Sequence, residues 1–408
     1  MRTSLGSHAA VLLIGLAACG GETNTGDATT VRDSSGVAIV ENDLLRLDAS
    51  CAIGDVPTIS IGVDDGGEEY VLDGVNGTRR LSDGRIAVVN QRAWQIRWYG
   101  SDGRYVRAAG RQGEGPGEFT SPYTMFTRPG DTIYVANTRP FQFLVFGPDG
   151  SYLRMVRPQP AIGNPPGAFG VLGDGRLMLA INDGSDGSAE MGMLQRTRRI
   201  QLHAADGKVL DTLSTMPNGR QGEIVAGSMI STTPFFESYA HAAALDSVIV
   251  LGHGAERELR VWSGVPEMRL ARVIRWTGGS REVTASDVEA EKAREKRELD
   301  AAPSQVRPFM EKAYETQVHP NRPVAELMPS MNGIRLGTDG RIWIREFKPP
   351  ADTSARQWVA FTREGRFDCR LSTPAFSEFA EFGADYLLAV VRDSLGVERV
   401  QQYPLSKP

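Results

Sequence analysis

Eight side chains suited to binding a polar ligand stand just upstream of a recurring turn: Asn76, Arg79, Tyr123, Tyr239, His241, Asn332, Arg335 and Glu378. Two chemistries compete for them. The oxygens of Asn76, Asn332 and Glu378 suit a hard cation such as calcium. Arg79 and Arg335 would repel a cation and instead suit an anionic or polar ligand, because a guanidinium offers paired donors. Tyr123, Tyr239 and His241 add ring faces and hydrogen bonds to that second reading. A third arrangement would have these groups satisfy one another and water. No stronger catalytic signature is present: there is no His-Glu-x-x-His, no Gly-x-Ser-x-Gly, no Walker loop and no Cys-x-x-Cys. His203, His241, His253 and His319 show no ligand spacing, and Asn182-Asp183-Gly184-Ser185-Asp186-Gly187 misplaces the closing acid of a calcium loop. Neither a metal nor a cofactor is expected.

The start of the chain carries an address. Arg2 precedes the apolar run Ala9-Ala10-Val11-Leu12-Leu13-Ile14-Gly15-Leu16, too short to span a bilayer but right for a signal peptide. It ends in Leu16-Ala17-Ala18-Cys19-Gly20, which resembles the bacterial lipobox. That resemblance implies a signal peptide over residues 1–18 and a lipid on the Cys19 thiol. Gly20 in place of Asp implies the outer membrane. Residues 20–30 hold no large apolar side chain, so a flexible tether is expected over 19–36.

The elements that would position the polar residues form a repeat. Gly110-Arg111-Gln112-Gly113-Glu114 recurs unchanged as Gly219-Arg220-Gln221-Gly222-Glu223. Six turns precede strand-like runs: Asp83-Gly84, Gly130-Asp131, Asp174-Gly175, Asp246-Ser247, Asp339-Gly340 and Ala384-Asp385. A second set ends the following strand, at Asp102-Gly103, Asp149-Gly150, Asp206-Gly207, Gly264-Val265 and Glu364-Gly365. Glycine tolerates positive φ and Asp bonds its own backbone, which suits hairpins. Asp83 to Asp131 is 48 residues and Asp131 to Asp174 is 43, about one four-stranded propeller blade each. The last unit lacks a fourth strand, which Pro57-Thr58-Ile59-Ser60-Ile61 could supply and so close the ring. The expectation is an all-β, six-bladed β-propeller over residues 37–408, becoming seven-bladed if residues 31–55 add a partial blade. Such closure would bring Cys51 near Cys369 for a disulfide in an oxidising compartment; two separate thiols are the alternative.

Residues 110–119, with Val135-Ala136-Asn137-Thr138 and Phe143-Leu144-Val145-Phe146-Gly147-Pro148-Asp149-Gly150, resemble the NHL-repeat propellers. The chain also resembles the six-bladed propeller lipoproteins of bacterial envelopes, with Asp33-Ser34-Ser35-Gly36-Val37 and Val40-Glu41-Asn42 fitting their opening. The resemblance implies fold more than function. A metal held by Asn76, Asn332 and Glu378 would resemble the gluconolactonase-type propellers and imply a metal-dependent hydrolase or lyase. Asn90, Asn137 and Asn182 end successive second strands and are expected to make structural bonds within each blade.

One interruption is helical. Thr284-Ala285-Ser286-Asp287 reads as a capping box, and two helices are expected within 284–318, between blades four and five. The first is polar on nearly all sides, so it should stand in water or act as a lid. A net charge of -5 argues against nucleic acid. The sequence therefore implies an envelope lipoprotein whose propeller binds a small polar ligand or an envelope protein.

Overall fold

The computed structural model describes residues 28–162, 166–183, 192–225, 230–374 and 377–407. Cys19 and its flanks, including the signal segment, lie outside the described residues.

Six sheets follow one another along the chain, and the innermost strands are Val75–Arg80, Pro122–Arg128, Ala168–Val171, Ala240–Leu245, Met331–Leu336 and Ser377–Phe382. Each leads through a turn of the first set into a second strand, among them Ile86–Asn90, Leu177–Asp183 and Ile342–Glu346. The turn chemistry is as the sequence indicates. The carboxylates of Asp83, Asp174 and Asp339 accept from the backbone N–H two residues on, at 3.0, 3.1 and 3.2 Å. The glycine between takes a φ of 87°, 88° or 86°.

The second strands are apolar on both faces because each sheet is covered twice. Ile86 and Val88 pack toward the sixth sheet with Leu388 and Val400, whereas Ala87 and Val89 pack toward the second with Met125 and Val135. Further clusters join the second sheet to the third, the third to the fourth, the fourth to the fifth and the fifth to the sixth. These interfaces return to their starting point. A ring of sheets around a central channel is the arrangement of a β-propeller.

The ring closes at the sixth sheet, where Ile59–Ile61 pairs antiparallel with Glu398–Ser406, so the start of the chain supplies the missing outer strand. Ala52–Ile53 pairs with the same strand, and Cys51 and Cys369 form a disulfide with Cα atoms 5.5 Å apart.

One expectation about the first residues needs correction. The tether assigned to 19–36 ends sooner, because Thr29–Ser34 and Val37–Asp43 form a hairpin. That hairpin starts no further blade; Val37–Asp43 runs parallel to Arg269–Thr277 on the outer edge of the fourth sheet. Buried Asn42 explains the docking: its Nδ2 donates to Gly365 O at 3.0 Å and its Oδ1 accepts from Phe367 N at 2.8 Å, bridging to the fifth sheet.

The repeated connectors share one device. Gly110 and Gly219 sit at φ 90° and 81°, and a Cβ on either would run into the ring of Phe119 or Tyr239. Arg111 then pairs with Glu118 at 2.6 Å and Arg220 with Glu237 at 2.8 Å.

The interruption between the fourth and fifth sheets is a helix pair, α1 (Ala285–Asp300) and α2 (Arg307–Gln317). Thr284 and Asp287 form the capping box, and Glu289–Lys292, Glu291–Arg294 and Arg294–Glu298 pair along α1. The helix does not simply stand in water. Val288 packs on Phe235, Phe236 and Met328, and Glu295 reaches inward to Arg322 at 3.0 Å. No helix among the described residues is long and apolar enough to cross a membrane.

Candidate anion-binding site at the channel mouth

The innermost strands begin at one mouth of the channel, and four of them are bulged there. Register slips at Asn76, Tyr123, Asn332 and Ala380 let one extra residue project without breaking the pairing beyond it. In the first and fifth sheets the slip lies in the same local sequence, Asn-Gly-x-Arg. Asn76-Gly77-Thr78-Arg79 and Asn332-Gly333-Ile334-Arg335 therefore place an amide and a guanidinium at matching heights in the two sheets.

A cavity of about 140 Å³ at the mouth is lined by His241, Asn332, Arg335, Arg198, Arg345 and Trp358. Arg345 donates from Nε to Asn332 Oδ1 at 2.6 Å and from Nη2 to Asn332 O at 3.1 Å. Arg198 donates from Nε to Asn182 Oδ1 at 2.8 Å and from Nη1 to Ala240 O at 2.5 Å. Arg335 donates to Ile334 O at 3.1 Å. Among the described residues no carboxylate lies within 4.0 Å of Arg198 or Arg335, and Glu378 comes only to 4.0 Å from Arg345. Among the described residues the charge at this mouth is therefore held by neutral oxygens and offset only by Glu378 on the rim. Its effects are legible in the neighbours. Burial, then the positive field of Arg198, His253 and Arg345, pushes His241 down to about 4, so it is neutral. Burial and then Arg345 and Arg79 lower the Arg335 pKa as well.

Deeper in, a second cavity of about 380 Å³ is lined by Asn76, Arg79, Tyr123, Phe126, Phe169 and Arg335, among others. At its far side lies buried Glu381, which accepts from Tyr386 Oη at 2.5 Å and stands 3.7 Å from Arg79 Nε. Burial raises the Glu381 pKa, against the pull of Arg79.

Seven of the eight candidate residues are thus brought to the channel or its rim. Asn76, Arg79, Tyr123 and Arg335 line the deeper cavity, and His241 and Asn332 line the mouth. Glu378 stands on the rim, its side chain 62% exposed, 3.4 Å from Arg356. Tyr239 does not belong: its ring covers Gly219 in the repeated connector. Asn90 and Asn137 do bond backbone within their own sheets, but Asn182 turns instead to Arg198.

Arg198, Arg345, Trp358 and Glu381 were missed. Arg345 had a signal, because it faces Gly333 where the first sheet sets Val89 against Gly77. A guanidinium at an aliphatic repeat position is a functional departure. Arg198 comes from a third strand after an irregular stretch and offers no such signal.

The fold is shared with a bacterial exported protein. That structure, a Bacteroides fragilis protein described as exported, superposes with a TM-score of 0.51 at 9% identity, covering 91% of this chain and 99% of that one. A DUF4221-family protein from Bacteroides vulgatus gives 0.47 at 8% identity over 88% and 99%. A gluconolactonase from Xanthomonas campestris gives 0.40 at 8% identity over 87% and 100%. No family model matches the sequence, and no curated protein does.

The oxygen set proposed for a cation does not fit one. Asn332 Oδ1 already accepts from Arg345, and Glu378 faces Arg356 and Arg345. A metal there would sit among guanidinium groups. The one compact cluster of ligand-type side chains among the described residues, Cys51, Asp368 and Cys369, contains the disulfide.

Proposed function

We propose that this chain is an exported lipoprotein, held in the envelope through Cys19, whose six-bladed, NHL-like β-propeller binds a small anionic ligand at its channel mouth. The carrying observation is that Arg198, Arg335 and Arg345 line one small cavity whose nearest acceptors are amide and carbonyl oxygens. Like charges in a confined, partly dry site repel one another, and an anion entering there relieves that repulsion. The planar guanidinium forks then give directional, paired bonds. An acidic group on an envelope partner would satisfy the same donors. The disulfide supports export, since such bonds persist in oxidising compartments.

Two measurements test the reading. Titration with inorganic phosphate or sulfate should show saturable binding that Arg335→Gln abolishes; binding unchanged in that variant refutes the site. Cys19→Ala should release the protein from the membrane fraction, and retention there refutes the anchor.

A further inference from the structure

Beyond the arginine mouth, the channel has two unlike walls. On the second and third sheets, Tyr123, Phe126 and Phe169 form a continuous aromatic ledge: Phe126 and Phe169 lie 5.2 Å apart near edge-on, and Tyr123 lies 6.4 Å from Phe169. The ledge is backed by Phe141 and Phe143, with centroids 5.8 and 6.1 Å from Phe169. Tyr123 is nevertheless 46% exposed. The adjoining fourth sheet offers Ala242, Ala243 and Ala244, then Leu245 at the strand's end, to the same cavity, and the fifth adds Ile334 and Leu336. Short side chains against a ledge of rings leave a slot, and Gly170 narrows the approach because a Cβ there would meet Ala244 at 2.8 Å. A ring entering the slot would gain edge and face contacts with this ledge. Arg335 lines both this slot and the mouth cavity, as do Gly167, Ala242 and Ile334, so the two adjoin. At the far side the Arg79–Glu381 pair sets a polar floor.

We infer that the ligand is an amphipathic anion: an acidic head among Arg198, Arg335 and Arg345, and an apolar ring of one-ring size against Tyr123, Phe126 and Phe169. This rests on the anionic reading above and extends it to the ligand's body. The slot of about 380 Å³ falls within the size range of small-molecule sites.

Calorimetric titration with three probes separates the parts: 3-phenylpropionate carries head and ring, acetate the head alone, and 3-phenylpropanol the ring alone. Burying one ring predicts that 3-phenylpropionate binds about tenfold or more tighter than acetate. The alcohol should bind more weakly than 3-phenylpropionate by a similar factor. Tyr123→Ala, at an exposed position, should weaken 3-phenylpropionate several-fold and leave acetate unchanged. Equal affinity for acetate and 3-phenylpropionate overturns the ring inference and leaves the anionic mouth standing. Equal affinity for the alcohol and 3-phenylpropionate overturns the anionic reading, and binding of none of the three overturns both.

Discussion

Arg345 holds Asn332 twice, from Nε to the side-chain oxygen at 2.6 Å and from Nη2 to the backbone oxygen at 3.1 Å. This fork pins the bulged start of the fifth innermost strand and removes the amide oxygen that a cation would need. Asn332→Asp keeps the shape but adds a negative charge. It should cost phosphate affinity about tenfold or more, measured by calorimetry. An unchanged affinity would mean that Arg345 and its neighbours do not hold the anion.

Proton uptake should accompany binding. His241 is held down to about 4 by burial and by Arg198, His253 and Arg345. Its unfolded value is near 6.5, so the folded protein binds fewer protons between those values. The His241 contribution to stability is therefore full above pH ~6.5 and is lost as pH falls toward ~4. A bound anion offsets the arginine field and raises the His241 pKa. Sulfate should bind more tightly at about pH 5 than at about pH 7, with protons taken up in buffers of different ionisation enthalpy. His241→Asn should flatten that dependence; a dependence that survives the substitution assigns it to another group.

Arg322 joins the helix pair to the ring. It pairs with Glu295, donates to Thr233 O and Gln317 O, and lies 3.8 Å over the Phe235 ring. The two charged side chains are only 8% and 13% exposed. Arg322→Met leaves Glu295 buried without its partner, a loss of about 3–5 kcal/mol. Hydrogen exchange should then accelerate across 285–317 while the sheets stay protected. Adding Glu295→Gln should restore much of the protection. Unchanged exchange in the single variant contradicts this attachment.

The Cys51–Cys369 bond spans 318 residues. In the chain-entropy model such a loop is worth roughly 5–6 kcal/mol, an upper figure where residual structure persists in the unfolded chain. Thermal unfolding with reductant should shift to a lower midpoint, matching a Cys51→Ala/Cys369→Ala variant. Equal midpoints with and without reductant would contradict a stabilising role.

How much was legible follows from what each residue senses. The second strands announce themselves because Ile86, Ala87, Val88 and Val89 are buried on alternating faces by two different sheets. The turns announce themselves because Asp and Gly bond and bend locally. The closing strand at Ile59–Ile61 follows from counting strands per unit. The N-terminal hairpin was hidden, since its partner Arg269–Thr277 is more than 200 residues away and pairing at that range leaves no local pattern. Glu295 reads as one more solvated charge on α1, and only Arg322, from beyond the second helix, makes it a buried anchor. Tyr239 has the same limit: its place one residue before Ala240 suggests the channel, while the space above Gly219 claims its ring. The mouth was half legible. His241, Asn332 and Arg335 share the innermost strands, but Arg198 and Arg345 arrive from outer strands.

The most direct test of the anionic mouth is an anomalous diffraction map from crystals soaked in bromide. The account predicts a bromide peak in the cavity between Arg198, Arg335 and Arg345, lost in Arg335→Gln. A map with bromide bound elsewhere and none in that cavity would contradict it.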